Sequence, residues 1–140
     1  GETEIEINQI VNQALENLCE IYESLNIKVT VAEQQRIIVH MDPTLASSLV
    51  NNLLKNAFVH NKQDGNISFT LNDNTLSIAN SGNEEALDAG TVFQTFYKKG
   101  ENARSTGLGL AITKAICNEY GFEIRYQFVQ NQHVFSVRFQ

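Results

Sequence analysis

Residues 42–61, Asp42-Pro43-Thr44-Leu45-Ala46-Ser47-Ser48-Leu49-Val50-Asn51-Asn52-Leu53-Leu54-Lys55-Asn56-Ala57-Phe58-Val59-His60-Asn61, carry the strongest helical signal in the chain. Asp42 is an N-cap acceptor, and Pro43 suits the first helical position, where its missing N–H has no intrahelical bond to lose. Leu45, Leu49, Leu53 and Ala57 recur every four residues and form an apolar stripe that faces a core. Asn52, Asn56 and His60 recur at the same spacing on an adjoining stripe, about 6 Å per step along the axis. Such a polar edge needs partners: a neighbouring loop or solvent on one reading, a ligand on the other. An amide oxygen is a hard, neutral ligand suited to Mg2+, which makes Asn56 the metal candidate.

Outward from this helix the pattern alternates between layers. Residues 4–7 alternate as a short edge strand, and Ile10, Ala14, Leu18, Ile21 and Leu25 keep helical spacing over about residues 8–25. Residues 27–32 and 36–40 read as strands around the polar turn Glu33-Gln34-Gln35. Residues 67–71 and 75–80, joined by Asn72-Asp73-Asn74, read as a hairpin of central strands, and residues 122–129 and 133–139 as a second one. Gly107 to Tyr120 is a helix with Leu108, Ala111, Ile112, Ala115 and Ile116 on one face and Gly121 as its C-cap. Between Ser81 and Thr106 periodicity fades, apart from the aromatic run Val92-Phe93-Gln94-Thr95-Phe96-Tyr97. A loop of that length in a compact domain points to function. The expected fold is α+β: a two-layer α/β sandwich with a mixed, mostly antiparallel sheet and about three helices on one face, forming one domain over residues 1–140.

Composition narrows the function. With 140 residues and a formal charge of −6 the chain can bury its own core, and it is too acidic for general binding to nucleic acid or an anionic membrane. No apolar run approaches the roughly 20 residues of a membrane-spanning helix. Cys19 and Cys117 sit in helical apolar patterns without metal-ligand spacing, so both are expected to be buried free thiols. The abrupt start at Gly1 leads us to expect a piece of a longer protein, with this part cytoplasmic.

Four separated motifs then fall into a known order. Asn52-Leu53-Leu54-Lys55-Asn56-Ala57 resembles an N box, Asn80-Ser81-Gly82 a first glycine box, Val92-Phe93-Gln94-Thr95-Phe96-Tyr97-Lys98 an F box, and Ser105-Thr106-Gly107-Leu108-Gly109-Leu110 a second glycine box. Together they resemble the catalytic and ATP-binding domain of a two-component sensor histidine kinase. That domain belongs to the GHKL superfamily, shared with DNA gyrase, mismatch-repair and heat-shock chaperone ATPases. The fold this implies is the Bergerat ATP-binding fold, and the cofactors are ATP and Mg2+.

The resemblance assigns roles residue by residue. Asn56 would hold Mg2+, with Asn52 and His60 beside it as the candidate catalytic side chains and Asn52 also touching ATP. Asn80, where the family carries Asp, would accept a hydrogen bond from the adenine amino group next to Gly82. Restoring an acid at position 80 is expected to strengthen that bond. Phe93, Phe96 and Tyr97 would form the base of an ATP lid, or plain core on the alternative reading. Lys98, Lys99, Arg104 and Thr106 would lie near the phosphates, which Gly107, Leu108, Gly109 and Leu110 would receive at a helix N-terminus. Glu84 and Val59 stand where the family has a glycine and often a cation. A Rossmann fingerprint is excluded because Ile112 occupies the third glycine position, and no P-loop sequence exists.

Hydrolytic relatives place a Glu base at the Asn52 position, and an amide cannot take that proton. Phosphoryl transfer to a supplied nucleophile remains open, because it rests on positioning and charge neutralisation. None of His40, His60 and His133 fits a phosphoacceptor, so that residue is expected on a separate dimerisation domain, with a response regulator receiver domain as the next partner. The isolated domain is expected to be a monomer and the full-length protein a homodimer anchored in the inner membrane. The rival expectations are a self-contained ATPase of the same superfamily and a degenerate domain that regulates by contact.

Overall fold

The computed structural model describes residues 1–94 and 108–140. β1 (Thr3–Glu6) leads into α1 (Ile7–Ile21), and a 3-10 turn (Glu23–Leu25) precedes β2 (Lys28–Glu33) and β3 (Ile38–Met41). Then come α2 (Pro43–Val59), β4 (Asn66–Asn72), β5 (Thr75–Asn80), α3 (Gly109–Tyr120), β6 (Glu123–Val129) and β7 (Gln132–Arg138). Five strands form one sheet in the order β2-β4-β5-β7-β6, in which β2 runs parallel to β4 and the other pairings are antiparallel. This is the expected two-layer α+β sandwich with a mixed, mostly antiparallel sheet.

The sheet buries one face. Ile67, Phe69 and Leu71, Leu76 and Ile78, Ile124 and Tyr126, and Phe135 and Val137 point inward at every second position. They pack against Val11, Leu15 and Leu18 of α1 and against Leu49, Leu53, Ala57 and Phe58 of α2 in one core. Both hairpins close through two-residue loops with positive φ, Asp73 and Asn74 at 52° and 53°, and Gln130 and Asn131 at 50° and 62°. That geometry suits the right-handed twist of the flanking strands.

α2 begins as its sequence requires: Asp42 accepts from the backbone N–H groups of Thr44 and Leu45 at 2.8 and 3.1 Å. Asn8 at the start of α1 is buried and fully bonded, donating to Glu33 and to the Gln35 carbonyl and accepting from the Ile37 N–H. That clamp directs β3 away from β2. The two strands flanking Glu33-Gln34-Gln35 therefore lie in different sheets, β2 beside β4 and β3 antiparallel to β1.

Three expectations are corrected. α1 stops at Ile21, which is 69% exposed, and Leu25 belongs to the 3-10 turn, because the chain must reverse there to enter β2. α3 buries Thr113, Ile116 and Cys117, whereas Leu108, Ile112 and Ala115 are exposed, so its inward face lies one position round from the apolar stripe. Cys19 is exposed rather than buried, while burial pushes the Cys117 thiol up to about 11, with nearby Lys114 opposing.

Candidate functional site

The inward-facing row of the sheet changes character at one end. β5 alternates Leu76, Ile78, Asn80, and Asn80 is only 1% exposed where an apolar side chain would be expected. Its partner across β7 is His133, also buried, so two polar side chains face one another at the same level of adjacent strands.

The Asn80 amide is half committed. Nδ2 donates to the Ser81 carbonyl at 2.9 Å, and that carbonyl can only accept, so the orientation of the amide follows. Oδ1 is left buried with no hydrogen-bond partner among the described residues. An unmade bond to a buried acceptor costs about 1–3 kcal/mol, which is tolerable where a ligand donor arrives.

A knot of side chains holds this strand end against the end of α2. Ser81 Oγ donates to Asn61 Oδ1 at 2.7 Å and accepts from the Asn66 N–H at 2.8 Å, while Asn61 Nδ2 reaches the carbonyls of Ala57 and Asn66. Gly65 lies inside the knot: a Cβ there would come within 2.0 Å of Asn61 Oδ1 and 2.6 Å of Ser81 Oγ. Gly82 is as tightly placed, because a Cβ would sit 2.4 Å from the His60 carbonyl. His60, the C-cap of α2, thus borders the Asn80-Ser81-Gly82 segment, and burial first, then an electrostatic interaction with His133, lowers its pKa.

Asn52, on the same stripe, faces the start of α3. Asn52 Nδ2 donates to the carbonyl and hydroxyl of Ser48 at 2.8 and 3.2 Å, which turns Oδ1 towards Gly109, where a Cβ would stand 3.1 Å away. Asn56 is half-buried, and no hydrogen bond of its side chain is found among the described residues. α3 starts at Gly109 without a side-chain cap and without an acidic residue in its first turn. Among the described residues no side chain caps its first N–H groups, and its own first turn carries no acid to oppose the positive end of its dipole.

The structure therefore brings together Asn52, Asn56, His60, Asn80, Gly82 and Gly109 around the polar edge of α2. Leu108 is exposed at the α3 N-cap, and Leu110 packs partly against the core. Phe93 is partly buried and packs edge-on against Phe135 of the core with ring centroids 6.0 Å apart. Phe96, Tyr97, Lys98, Lys99, Arg104, Thr106 and Gly107 lie outside the described residues.

Sequence reasoning passed over Asn61, Gly65 and Tyr126 as site-forming residues and left His133 as a structural residue. The signal for His133 was present: polar residues interrupt the inward alternation of β5 and β7 at paired positions. Nothing in the sequence alone pairs Asn61 with Ser81.

The family model described as "Histidine kinase-, DNA gyrase B-, and HSP90-like ATPase" matches residues 41–140, the part that holds every residue of this site. The chain belongs to this ATPase family. Among curated relatives, the sensor protein VanS of Enterococcus faecium is 33% identical over 110 residues, 72% of this chain and 28% of its own length. The sensor protein KdpD of Clostridium acetobutylicum is 29% identical, over 84% of this chain and 14% of its length. The chain thus spans less than a third of either curated relative.

The catalytic domain of histidine kinase ThkA superposes with a TM-score of 0.84 at 25% identity, covering 98% of this chain and 95% of that one. A further ThkA structure holds that kinase in complex with the response regulator protein TrrA. Within this family the α/β fold and ATP binding come together. Among the described residues no helix is long and apolar enough to cross a membrane.

Proposed function

We propose that this domain binds ATP with Mg2+ at the α2 edge and transfers the γ-phosphoryl group to a histidine on a separate dimerisation domain. The observation that carries the reading is Oδ1 of Asn80, a buried acceptor without a partner at the sheet end beside Gly82. An adenine amino group would satisfy it, and the bond from Nδ2 to the Ser81 carbonyl leaves Oδ1 as the end of the amide open to such a donor. At the other end, the uncapped N–H groups of α3 would bind phosphate oxygens.

Asn56, free of competing bonds among the described residues, would hold Mg2+, which supplies charge neutralisation to the phosphates when bound. Asn52 donates to Ser48 and offers no proton acceptor of useful basicity, so water is poorly activated and the phosphoryl group is kept for the supplied nucleophile. By analogy with what the ThkA structure contains, the phosphohistidine would pass its group to a response regulator receiver domain. The whole protein would be a membrane-anchored homodimer.

Calorimetric titration with ATP, with and without Mg2+, tests the reading. We expect binding in the micromolar to millimolar range, roughly −4 to −8 kcal/mol. Asn56→Ala should weaken binding about tenfold in Mg2+ and barely alter it in a chelator. No heat at millimolar nucleotide would overturn the reading in favour of a regulatory module. Equal losses with and without Mg2+ would remove Asn56 from the metal.

A further inference from the structure

The polypeptide leaving Gly82 is fastened across the end of the sheet by side chains that the ATP reading does not use. His133 Nε2 contacts the carbonyl of Asn83, which can only accept, so Nε2 carries the proton and Nδ1 of the neutral ring is an acceptor. Tyr126 Oη, 2.7 Å from Nδ1, is then the donor, and it accepts in turn from the Leu87 N–H at 2.9 Å. One directed relay therefore runs Leu87 N–H to Tyr126 O–H to His133, and His133 N–H to the Asn83 carbonyl. It spans β6 and β7 and pins both ends of residues 83–87. The rings reinforce it: Tyr126 stacks on His133 with centroids 5.9 Å apart, and the Phe128 ring centroid lies 4.8 Å from that of His133.

His133 is also the cross-strand partner of Asn80. The relay thus includes the cross-strand neighbour of the residue that carries the orphaned acceptor, and it holds the segment that continues from that residue. We propose that His133 and Tyr126 are positioning residues for base recognition, setting the wall formed by residues 83–87 so that Asn80 Oδ1 meets the exocyclic amino group of a 6-aminopurine nucleotide. The proposal rests on the nucleotide reading and assigns a specificity device to it. Neither residue touches the reacting phosphates.

The test compares ADP with inosine diphosphate, whose 6-keto group offers Asn80 no donor, by calorimetry on the whole chain. Tyr126→Phe keeps the ring and removes the hydroxyl, leaving the Leu87 N–H and His133 Nδ1 unpaired. ADP affinity should fall about fivefold, the size of one ordinary net hydrogen bond, while inosine diphosphate affinity stays within twofold, so that discrimination shrinks. Amide exchange at Leu87 should accelerate in the same variant. Tyr120→Phe is the control, because it also removes a hydroxyl that accepts a backbone N–H, that of Asp42 at 3.1 Å, but at the far end of α2. It should leave the ADP to inosine diphosphate ratio unchanged. An unaltered ratio in Tyr126→Phe, or an equal change in Tyr120→Phe, overturns the relay while leaving ATP binding intact. Failure of the unaltered protein to bind ADP overturns the nucleotide reading itself.

Discussion

The two ends of the polar edge on α2 are built in opposite ways. At its C-terminal end Asn61, Ser81, Asn66 and the Asn80 amide nitrogen form a closed set of bonds around Gly65, with one buried oxygen left over. At the α3 end, among the described residues, Asn52 is anchored through its amide nitrogen alone, Asn56 makes no side-chain bond, and the helix begins without a cap. A flat base is recognised by a fixed acceptor at one place, and rigidity there avoids an ordering cost on binding. A flexible triphosphate with several charged oxygens is better met by donors that protein groups have not already filled.

The comparison breaks most sharply at Gly65. A methyl group there would collide with Asn61 Oδ1, with Ser81 Oγ and with the Lys62 carbonyl at 2.9 Å, so the knot must open. Gly65→Ala should destabilise the domain by about 2–3 kcal/mol in urea unfolding, combining overpacking with lost hydrogen bonds. It should also weaken ATP binding, because Ser81 would no longer hold the strand end that carries Asn80. A variant of unchanged stability would show that the closed end is not the rigid one.

These contrasts were unequally visible in the sequence. α2 was legible to its cap, because Asp42-Pro43 and the apolar repeat are local signals, and the two hairpins were legible from alternation and turn residues. The failures occurred where distant contacts decide. The inward face of α3 is set by where that helix lands on α2 and β6, which its own stripe of Leu108, Ile112 and Ala115 does not encode. The separation of β2 from β3 depends on Asn8, some 25 to 29 residues away along the chain. In the site, the residue types of the Asn52, Asn56 and Asn80 motifs were readable, but the bonds that orient them were not. Asn80 illustrates the consequence. Sequence comparison alone favours restoring an acid, on the ground that an Asn amide donor is left to satisfy, yet that donor is already satisfied by Ser81.

The second prediction follows from that bond. Asn80→Asp would place a carboxylate oxygen where Nδ2 now meets the Ser81 carbonyl at 2.9 Å, replacing a buried hydrogen bond by repulsion between two acceptors. At pH 7.5 the variant should be less stable by about 1–2 kcal/mol, and its ATP affinity should not improve. Tighter ATP binding without a loss of stability would mean that Ser81 does not set the orientation of the side chain, and the closed end of the site would be looser than described.

The smallest effect concerns His60, which sits where the two ends meet and whose carbonyl touches Gly82. Its folded pKa is lowered from 6.5, first by burial and then by an electrostatic interaction with His133. A lowered pKa means that the unfolded chain binds the proton more tightly than the folded one. Stability from this group is therefore complete above about pH 6.5 and is lost as pH falls through that value towards the folded pKa. His60→Gln keeps a polar side chain of similar reach but cannot take up the proton. The urea midpoint of the natural sequence should thus drop more between pH 7.5 and pH 5.5 than that of the variant. The test bears on the closed end directly, because a proton on His60 would introduce charge beside His133 and behind the Asn80 acceptor. Parallel pH profiles for the two proteins would show that the ring escapes to solvent, and that this corner of the site is open.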